Sequence, residues 1–327
     1  MNRYVRILGT GSSAPDRILT NADLEKMVDT SDEWITERSG IKERRIAPPD
    51  KASSDYALEA SIRAMEMAGV TAVELDMIIL ATVTPDTPLP STSCIIQDKL
   101  GAKNAAVMDI GAACSGFIYG LSLARSLILT GQAGTILVIG VEMLSRITDW
   151  SDRNTCVLFG DGAGAAVVRG SDKSGGIIDT YIKSDGSLAH LLHIPLGGSR
   201  TPLNAQNVCN GLRYVQMEGQ DVFKAAVKAM GEAAVKILER SKISSEDIDL
   251  MIPHQANIRI IEATAKRIKL PMEKVYVNIQ RYGNTSSASI PIALDEAVRG
   301  GRIKHGDKIV LVAFGAGFTW GSALIEW

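Results

Sequence analysis

The sequence is poor in aromatic residues, which fill only 5% of 327 positions, so its core must be aliphatic and dense in small side chains. Cysteine is scarce too. The four present, Cys94, Cys114, Cys156 and Cys209, are dispersed without CxxC spacing, which argues against both a disulfide framework and a zinc site. Charge of one sign is not in excess: Lys+Arg is 35 and Asp+Glu is 37, a net of −2. That balance gives no global reason to bind nucleic acid or an acidic membrane, although it leaves room for a local basic patch. Long uninterrupted apolar runs are missing. The charge-free stretches 110–124 and 126–141 flank Arg125, and Gly, Ser, Thr and Gln break both, so they read as buried core and not as membrane spans. The opening residues, MNRYVRILGTGSSAP, lack the order of charge, apolar run and cleavage site of a signal peptide. A cytoplasmic enzyme with reduced thiols is the expectation. What is present is a hydrophobic fraction of 46%, a charged fraction of 22% and 30 glycines, the profile of a globular chain with a large core. Its length fits about two domains.

The sequence repeats itself. SIRAMEMAGVTAVELDMIILATVTPD in the first half reads as helix, loop and apolar strand, and VKILERSKISSEDIDLMIPHQAN in the second half reads the same way. Each half then carries a second pattern, VMDIGAACSGFIYGLSLARSLILTGQAGTILVIGVEM and VYVNIQRYGNTSSASIPIALDEAVRGGRIKHGDKIVLVAFGAG. Each of these reads as a short strand, a tight turn, a helix rich in small residues and a continuous apolar strand. Strands alternating with helices imply parallel sheet. Continuous apolar runs such as ILVIG and IVLVAFG imply strands buried on both faces. The helix after Cys114 is apolar nearly all round (Phe117, Ile118, Leu121, Leu123, Leu127, Ile128), and such a helix belongs in an interior layer. The helix after Asn284 is equally poor in charge until Asp295. Two related halves, each with a buried helix, predict an α/β fold of five layers, αβαβα, divided within 171–176 into pieces 1–173 and 174–327. Residues 185–215 fit neither repeat and read as an insertion of loop and strand.

Candidate chemistry lies where predicted strands end. Cys114, in Gly111-Ala112-Ala113-Cys114-Ser115-Gly116, falls at an expected helix start, where unpaired N–H groups and the positive end of the dipole favour thiolate. A free cysteine there is equally a small buried hydrophobe. Of the other cysteines, Cys94 falls in a predicted helix, Cys156 near a predicted strand start and Cys209 in the insertion. Among four histidines, only His254 follows a predicted parallel strand, where open α/β sheets place their ligands; a satisfied loop histidine is the alternative. His190, His193 and His305 read as structural or exposed. Asn284 occupies the position in the second half that Cys114 occupies in the first, and it also suits a helix cap. Packing of similar halves about a pseudo-twofold would bring thiol, imidazole and amide together. A nicotinamide oxidoreductase would need Gly9-Thr10-Gly11 to open a helix, and Pro15 follows too closely for that.

At these residues the sequence resembles the thiolase superfamily, and within it the β-ketoacyl-acyl-carrier-protein synthase III family. The likeness runs through TSDEWITERSGIKERR, DIGAACSGF, DRNTCVLFGDGAGAA, PHQANIRII, RYGNTSSASIP and FGAGFTWGSA. The resemblance implies the thiolase-like fold and a homodimer. It implies Claisen condensation of an acyl-CoA primer with malonyl-acyl carrier protein in fatty acid initiation, without a metal or redox cofactor. By resemblance, Cys114 is the nucleophile, His254 and Asn284 stabilise the enolate, and the backbone N–H groups of Cys114 and Ala316 form the oxyanion hole. Ala316 stands where the family has glycine, which puts the turn geometry in question. Thr30, Trp34, Arg38, Arg153 and Asn257 are assigned to CoA, with Trp34 and Arg153 stacking on the adenine. Lys224, Arg259, Lys266 and Arg267 are assigned to the acidic carrier protein. Phe314 and Leu89 are assigned to the primer pocket, Leu89 on a loop that reaches across to the partner's site, where a flexible side chain favours a larger or branched primer. A CoA-dependent thiolase would need a second cysteine in the C-terminal turn, and none follows Cys209. A condensing enzyme of secondary metabolism using other acyl-thioesters, and a non-catalytic acyl-CoA-binding protein, remain as alternatives.

Overall fold

The protein is described here by a computed structural model covering residues 4–327. The first part of the chain runs through β1 (Tyr4–Ser13), β2 (Ile18–Thr20), α1 (Asn21–Leu24), α2 (Asp32–Ser39), β3 (Glu43–Arg45) and α3 (Ser53–Ala68). It continues through β4 (Met77–Ala81), α4 (Thr92–Leu100), β5 (Ala106–Ile110), α5 (Gly116–Leu129), β6 (Thr135–Met143) and β7 (Asp161–Ser171). The second part holds β8 (Gly176–Ser184), β9 (Leu192–His193), β10 (Gln216–Met217), α6 (Gly219–Ser241), β11 (Leu250–Pro253) and α7 (Ile258–Arg267). It ends with α8 (Ile279–Tyr282), α9 (Ser289–Arg299), β12 (Lys308–Gly315) and β13 (Thr319–Glu326).

Two sheets result, in the orders β1-β7-β6-β4-β5 and β11-β12-β13-β8. The chain passes from one to the other in the turn between Ser171 and Gly176. Helices α5 and α9 lie between the sheets, α3 and α4 cover the outer face of the first, and α6 and α7 cover the second. These are the five layers the buried helices predicted. The main core cluster is built by α5 and α9 against both sheets, with Phe117, Ile118, Leu121, Ile290 and Leu294 all buried. Leu123 departs from the expected all-round burial: it is 39% exposed at the outer edge of α5.

The sheets are mixed, not parallel throughout. Parallel pairing is confined to β4 with β5 and β6, and to β11 with β12. A three-residue turn joins β12 to β13, too short for a crossover, so that pair is antiparallel. The short strand expected at VYVN does not form; Val275 makes one isolated bridge to Met251. The cause is Gln255. Its Oε1 accepts the N–H groups of Asn278 and Ile279 at 3.0 and 3.2 Å, and its Nε2 donates to the carbonyls of Pro253 and Tyr276. A buried side chain thus satisfies the backbone groups a strand partner would have paired. Cys156 likewise lies in buried turns ahead of β7, not at a strand start.

Gly9 and Gly11 are packing residues of β1. A Cβ at Gly11 would lie 2.2 Å from the Ala60 carbonyl oxygen of α3, and one at Gly9 would lie 2.4 Å from that of Ala64. No helix opens after them, which disposes of the nicotinamide reading. Gly11→Val is therefore expected to force α3 off the sheet and cost about 1–3 kcal/mol or more, read as a lowered urea midpoint at unchanged m-value.

Candidate active site

Each half approaches its buried helix through the same strained turn. In the first, Ala113 has φ +45° and a 3-10 turn, Ala113–Ser115, precedes α5. In the second, Ser286 has φ +47° and a 3-10 turn, Ser286–Ala288, precedes α9. Non-glycine residues with positive φ are uncommon and mark turns under constraint. The register places Cys114 opposite Ser287, two residues ahead of the helix in each case, so Asn284 matches Gly111 and not Cys114 as expected. The helix start also lies further on than expected, at Gly116.

Cys114, His254 and Asn284 nevertheless line one cavity of about 370 Å³, together with Ser286, Phe314, Gly315 and Ala316. The cavity is concave and mostly apolar with a few convergent polar groups, as a substrate site requires. Cys114 is half-buried on its wall. Its backbone is held against β12 so closely that a Cβ at Gly315 would lie 2.5 Å from the Cys114 nitrogen. Ala316 has a negative φ, so alanine is tolerated there and the turn keeps its backbone donor.

The electrostatics correct one expectation. Burial pushes the Cys114 thiol up to about 12; a hydrogen bond from Ser286 pulls the other way, and the charge of Glu142 adds to the rise. Desolvation thus outweighs the helix end, and the resting group is a thiol.

His254 follows β11, buried, with its N–H donating to the Val312 carbonyl at 2.8 Å. Burial pushes its imidazole down to about 3, so it is neutral at physiological pH. Its Nδ1 lies 2.6 Å from the Ser289 hydroxyl, and that oxygen also accepts from the Gln255 N–H at 3.5 Å. A hydroxyl already accepting from an amide has its proton free for Nδ1. That arrangement leaves the proton on Nε2, making His254 a donor.

Asn284 is clamped through its backbone: its N–H donates to the Leu158 carbonyl at 2.8 Å and its carbonyl accepts from Gly160 at 3.0 Å. Its side-chain oxygen accepts the Ser286 N–H at 2.8 Å. The cap reading and the catalytic reading coexist, because the amide NH2 is left for the cavity.

The cavity mouth is built by residues that sequence reasoning passed over. Leu192, His193 and Ile194 from the insertion, with Val222 and Phe223 of α6, line it; His193 was expected to be structural or exposed, and it is exposed but on this rim. Asn257 lines the mouth as well, caps α7 through Arg259, and donates from Nδ2 to the Arg38 carbonyl of α2 at 2.7 Å. On α2, the guanidiniums of Arg38 and Arg153 lie 4.9 and 4.7 Å from the centre of the Trp34 ring. An adenine stacked between Trp34 and Arg153 therefore requires Arg153 to swing aside. The Thr30 hydroxyl next to this cluster has no hydrogen-bond partner among the described residues. Arg259, Lys266 and Arg267 are exposed on α7 with Lys224 on the neighbouring α6, and Arg259 packs over Phe223 at 5.3 Å. Phe314 is buried against Phe318 and borders the cavity. Leu89 is 86% exposed and lies off the wall of its own chain's cavity. Among the described residues no group of His, Cys, Asp and Glu is placed to hold a metal, and no helix is long and apolar enough to cross a membrane.

Comparison with known proteins agrees with this site. The 3-oxoacyl-[acyl-carrier-protein] synthase III family model matches residues 108–186, and the model of that family's C-terminal region matches residues 238–327. The β-ketoacyl-[acyl-carrier-protein] synthase III of Caldanaerobacter subterraneus subsp. tengcongensis is 60% identical over 98% of this chain and 97% of its own. The chain belongs to the β-ketoacyl-acyl-carrier-protein synthase III family. The synthase III of Symbiobacterium thermophilum is 53% identical over 99% of this chain and 98% of its own. The solved synthase III of Aquifex aeolicus VF5 is 50% identical, covering 99% of this chain and 100% of its own, with a TM-score of 0.92. The family membership makes the protein an acyltransferase of the condensing type with a thiolase-like fold.

Proposed function

We propose that the protein condenses an acyl-CoA primer with malonyl-acyl carrier protein, releasing CoA and CO2 and giving a 3-oxoacyl-acyl carrier protein, the opening step of fatty acid synthesis. The observation that carries this reading is the convergence of Cys114, His254 and Asn284 on one cavity wall. The Cys114 sulfur attacks the primer thioester, and the oxyanion is held by the backbone N–H groups of Cys114 and Ala316. CoA leaves and an acyl-enzyme remains. Malonyl-acyl carrier protein then loses CO2, and charge gathers on its thioester oxygen. His254 through Nε2–H and Asn284 through its amide donate to that oxygen. Both are neutral donors, suited to stabilising an enolate without surrendering a proton. The carbanion attacks the acyl group on Cys114 and frees the thiol.

The Trp34, Arg38 and Arg153 stack supports CoA as the primer carrier, with Thr30 and Asn257 beside it. The basic face formed by Lys224, Arg259, Lys266 and Arg267 at the cavity mouth fits an acidic carrier protein, and its effect weakens with salt. A homodimer, with Leu89 reaching the partner's primer pocket, is consistent with that side chain's exposure and with β5 lying at a sheet edge. A cytoplasmic setting fits four free cysteines. A priming role in polyketide synthesis is the second reading: the priming β-ketosynthase of the R1128 polyketide pathway is 37% identical with a TM-score of 0.91. The 60% relative favours the first.

The test is turnover of a panel of straight and branched acyl-CoAs with malonyl-acyl carrier protein, with products identified by mass. The wild type yields 3-oxoacyl-carrier protein. Trp34→Ala raises KM for acyl-CoA roughly 10-fold with little change in kcat, as expected for lost stacking. Absence of any 3-oxoacyl product across the panel contradicts the proposed function.

A further inference from the structure

One buried charge has no place in the mechanism above. Glu142 lies within β6, the strand TILVIGVEM, whose residues are all buried. It is 0% exposed and has no ion-pair partner among the described residues. Hydroxyl and amide donors surround it. Thr84 Oγ1 donates to Oε2 at 2.7 Å, Val83 N–H at 3.1 Å and Thr82 Oγ1 at 3.4 Å. Ser286 Oγ and Ser287 Oγ both donate to Oε1 at 3.1 Å. An unpaired carboxylate at this depth is expensive. It is held here by five donors, two of them from the strained turn that also carries Ser286 onto the cavity wall.

Ser286 links that carboxylate to the nucleophile, since its hydroxyl is also hydrogen-bonded to the Cys114 sulfur. With its own proton given to Glu142, Ser286 Oγ can only accept from Cys114. The chain of donors therefore runs from Cys114 S–H to Ser286 Oγ, and from Ser286 O–H to Glu142 Oε1. We infer that Glu142, acting through the Ser286 hydroxyl, receives the Cys114 proton as the sulfur attacks the primer.

The step balances. The S–H bond of Cys114 breaks as its sulfur bonds the thioester carbon; the proton moves to Ser286 as the Ser286 proton moves to Glu142. The carbon–sulfur bond to CoA then breaks, and the CoA thiolate takes a proton back along the same path, restoring the Glu142 carboxylate. His254 is the other candidate acceptor, but burial holds its imidazole down near 3, whereas burial raises the Glu142 carboxyl to about 7. Of the two, Glu142 holds a proton far better. The titratable group facing it is Cys114. On the elements packed around β6, Asp161 of β7 is bonded to Ala47 and Ser145, and Arg169 to Thr135 and Glu74. Glu59 of α3 is bonded to Ser13, Asp295 of α9 to Thr10, Ser12 and Arg299, and Arg125 of α5 to the carbonyls of Ile177 and Ile178.

This inference rests on the acyl-enzyme proposed above, and the test separates the two. The rate at which the full-length protein gains the acetyl mass from acetyl-CoA, without carrier protein, is measured between pH 5.5 and 9.5. The expected wild-type rate rises as Glu142 ionises, through about pH 7, and then levels. Glu142→Gln and Ser286→Ala lose the plateau and climb with pH throughout. At pH 8 each is slower by ~10²-fold or more, the scale of proton-transfer catalysis, and the double variant is no worse than either single one. A merely structural role would lower the rate without moving the pH profile. Unchanged inflection and rates within two-fold in both variants overturn the relay. Should Glu142→Gln not fold, Ser286→Ala alone decides by the same two outcomes. A wild type that gains no acetyl mass overturns both the relay and the acyl-enzyme.

Discussion

Cys114→Ala is expected to abolish condensation outright while malonyl-acyl carrier protein is still decarboxylated. Without the sulfur there is no acyl-enzyme, and no other nucleophile on the cavity wall replaces it: Cys94, Cys156 and Cys209 do not line the cavity. Removal of a covalent nucleophile in comparable enzymes costs on the order of 10⁶ in kcat, which here means product below detection. Decarboxylation needs only the enolate donors, His254 and Asn284, and these do not depend on the Cys114 side chain for their positions. His254 is fixed by Val312 and Ser289, and Asn284 by Leu158, Gly160 and Ser286. Release of CO2 from malonyl-acyl carrier protein, measured beside 3-oxoacyl product, separates the two steps. Loss of both together would mean that Cys114 serves chiefly to hold the site's shape.

The complementary expectation is that His254→Ala and Asn284→Ala each lower condensation by ~10²–10³, the cost of one lost donor to a developing oxyanion. Acylation of Cys114 by acyl-CoA stays within a few-fold of wild type. The reasoning is geometric. The primer oxyanion is assigned to backbone donors at Cys114 and Ala316, so the first half-reaction does not call on either side chain. The second does, and removing one donor leaves the other. The double variant is not expected to multiply the two losses, because the donors share one oxygen. Pre-acylated enzyme mixed with malonyl-acyl carrier protein measures the second step alone. Single variants that condense at wild-type speed from the acyl-enzyme would remove the side chains from the enolate role.

Much of this site was legible in the sequence because two signals coincide. The repeat placed strand ends from both halves side by side, and only Cys114 and His254 put reactive atoms at such ends. Neither signal depends on long-range detail. The αβαβα layering was legible for the same reason: helices such as α5, apolar on most faces, have nowhere to go but between two sheets. What escaped was set by tertiary contacts. The VYVN segment has strand composition, but Gln255 from another part of the chain satisfies its backbone first. The thiol's ionisation was misjudged because a local rule about helix ends carries no information on desolvation, which here is the larger effect. The register of the second turn was off because Asn284 was aligned by residue chemistry, whereas the positive-φ pair Ala113 and Ser286 fixes the true match. The insertion that supplies Leu192 and His193 to the cavity rim has no periodicity to betray it. One missed residue did leave a trace. Glu142 interrupts a strand whose other eight residues are apolar or small, TILVIGVEM, and a charge in the middle of a doubly buried strand marks a bonded and purposeful group.

The central claim is that Cys114 alone carries the acyl group between the two half-reactions. Incubating the protein with acetyl-CoA, quenching in acid, digesting and sequencing the modified peptide by mass spectrometry tests it directly. A single acetyl thioester on the peptide containing Cys114, absent from Cys114→Ala, is the predicted result. Acetyl groups on Cys94, Cys156 or Cys209 in its place, or an unmodified protein that nevertheless forms 3-oxoacyl-carrier protein, would contradict the account.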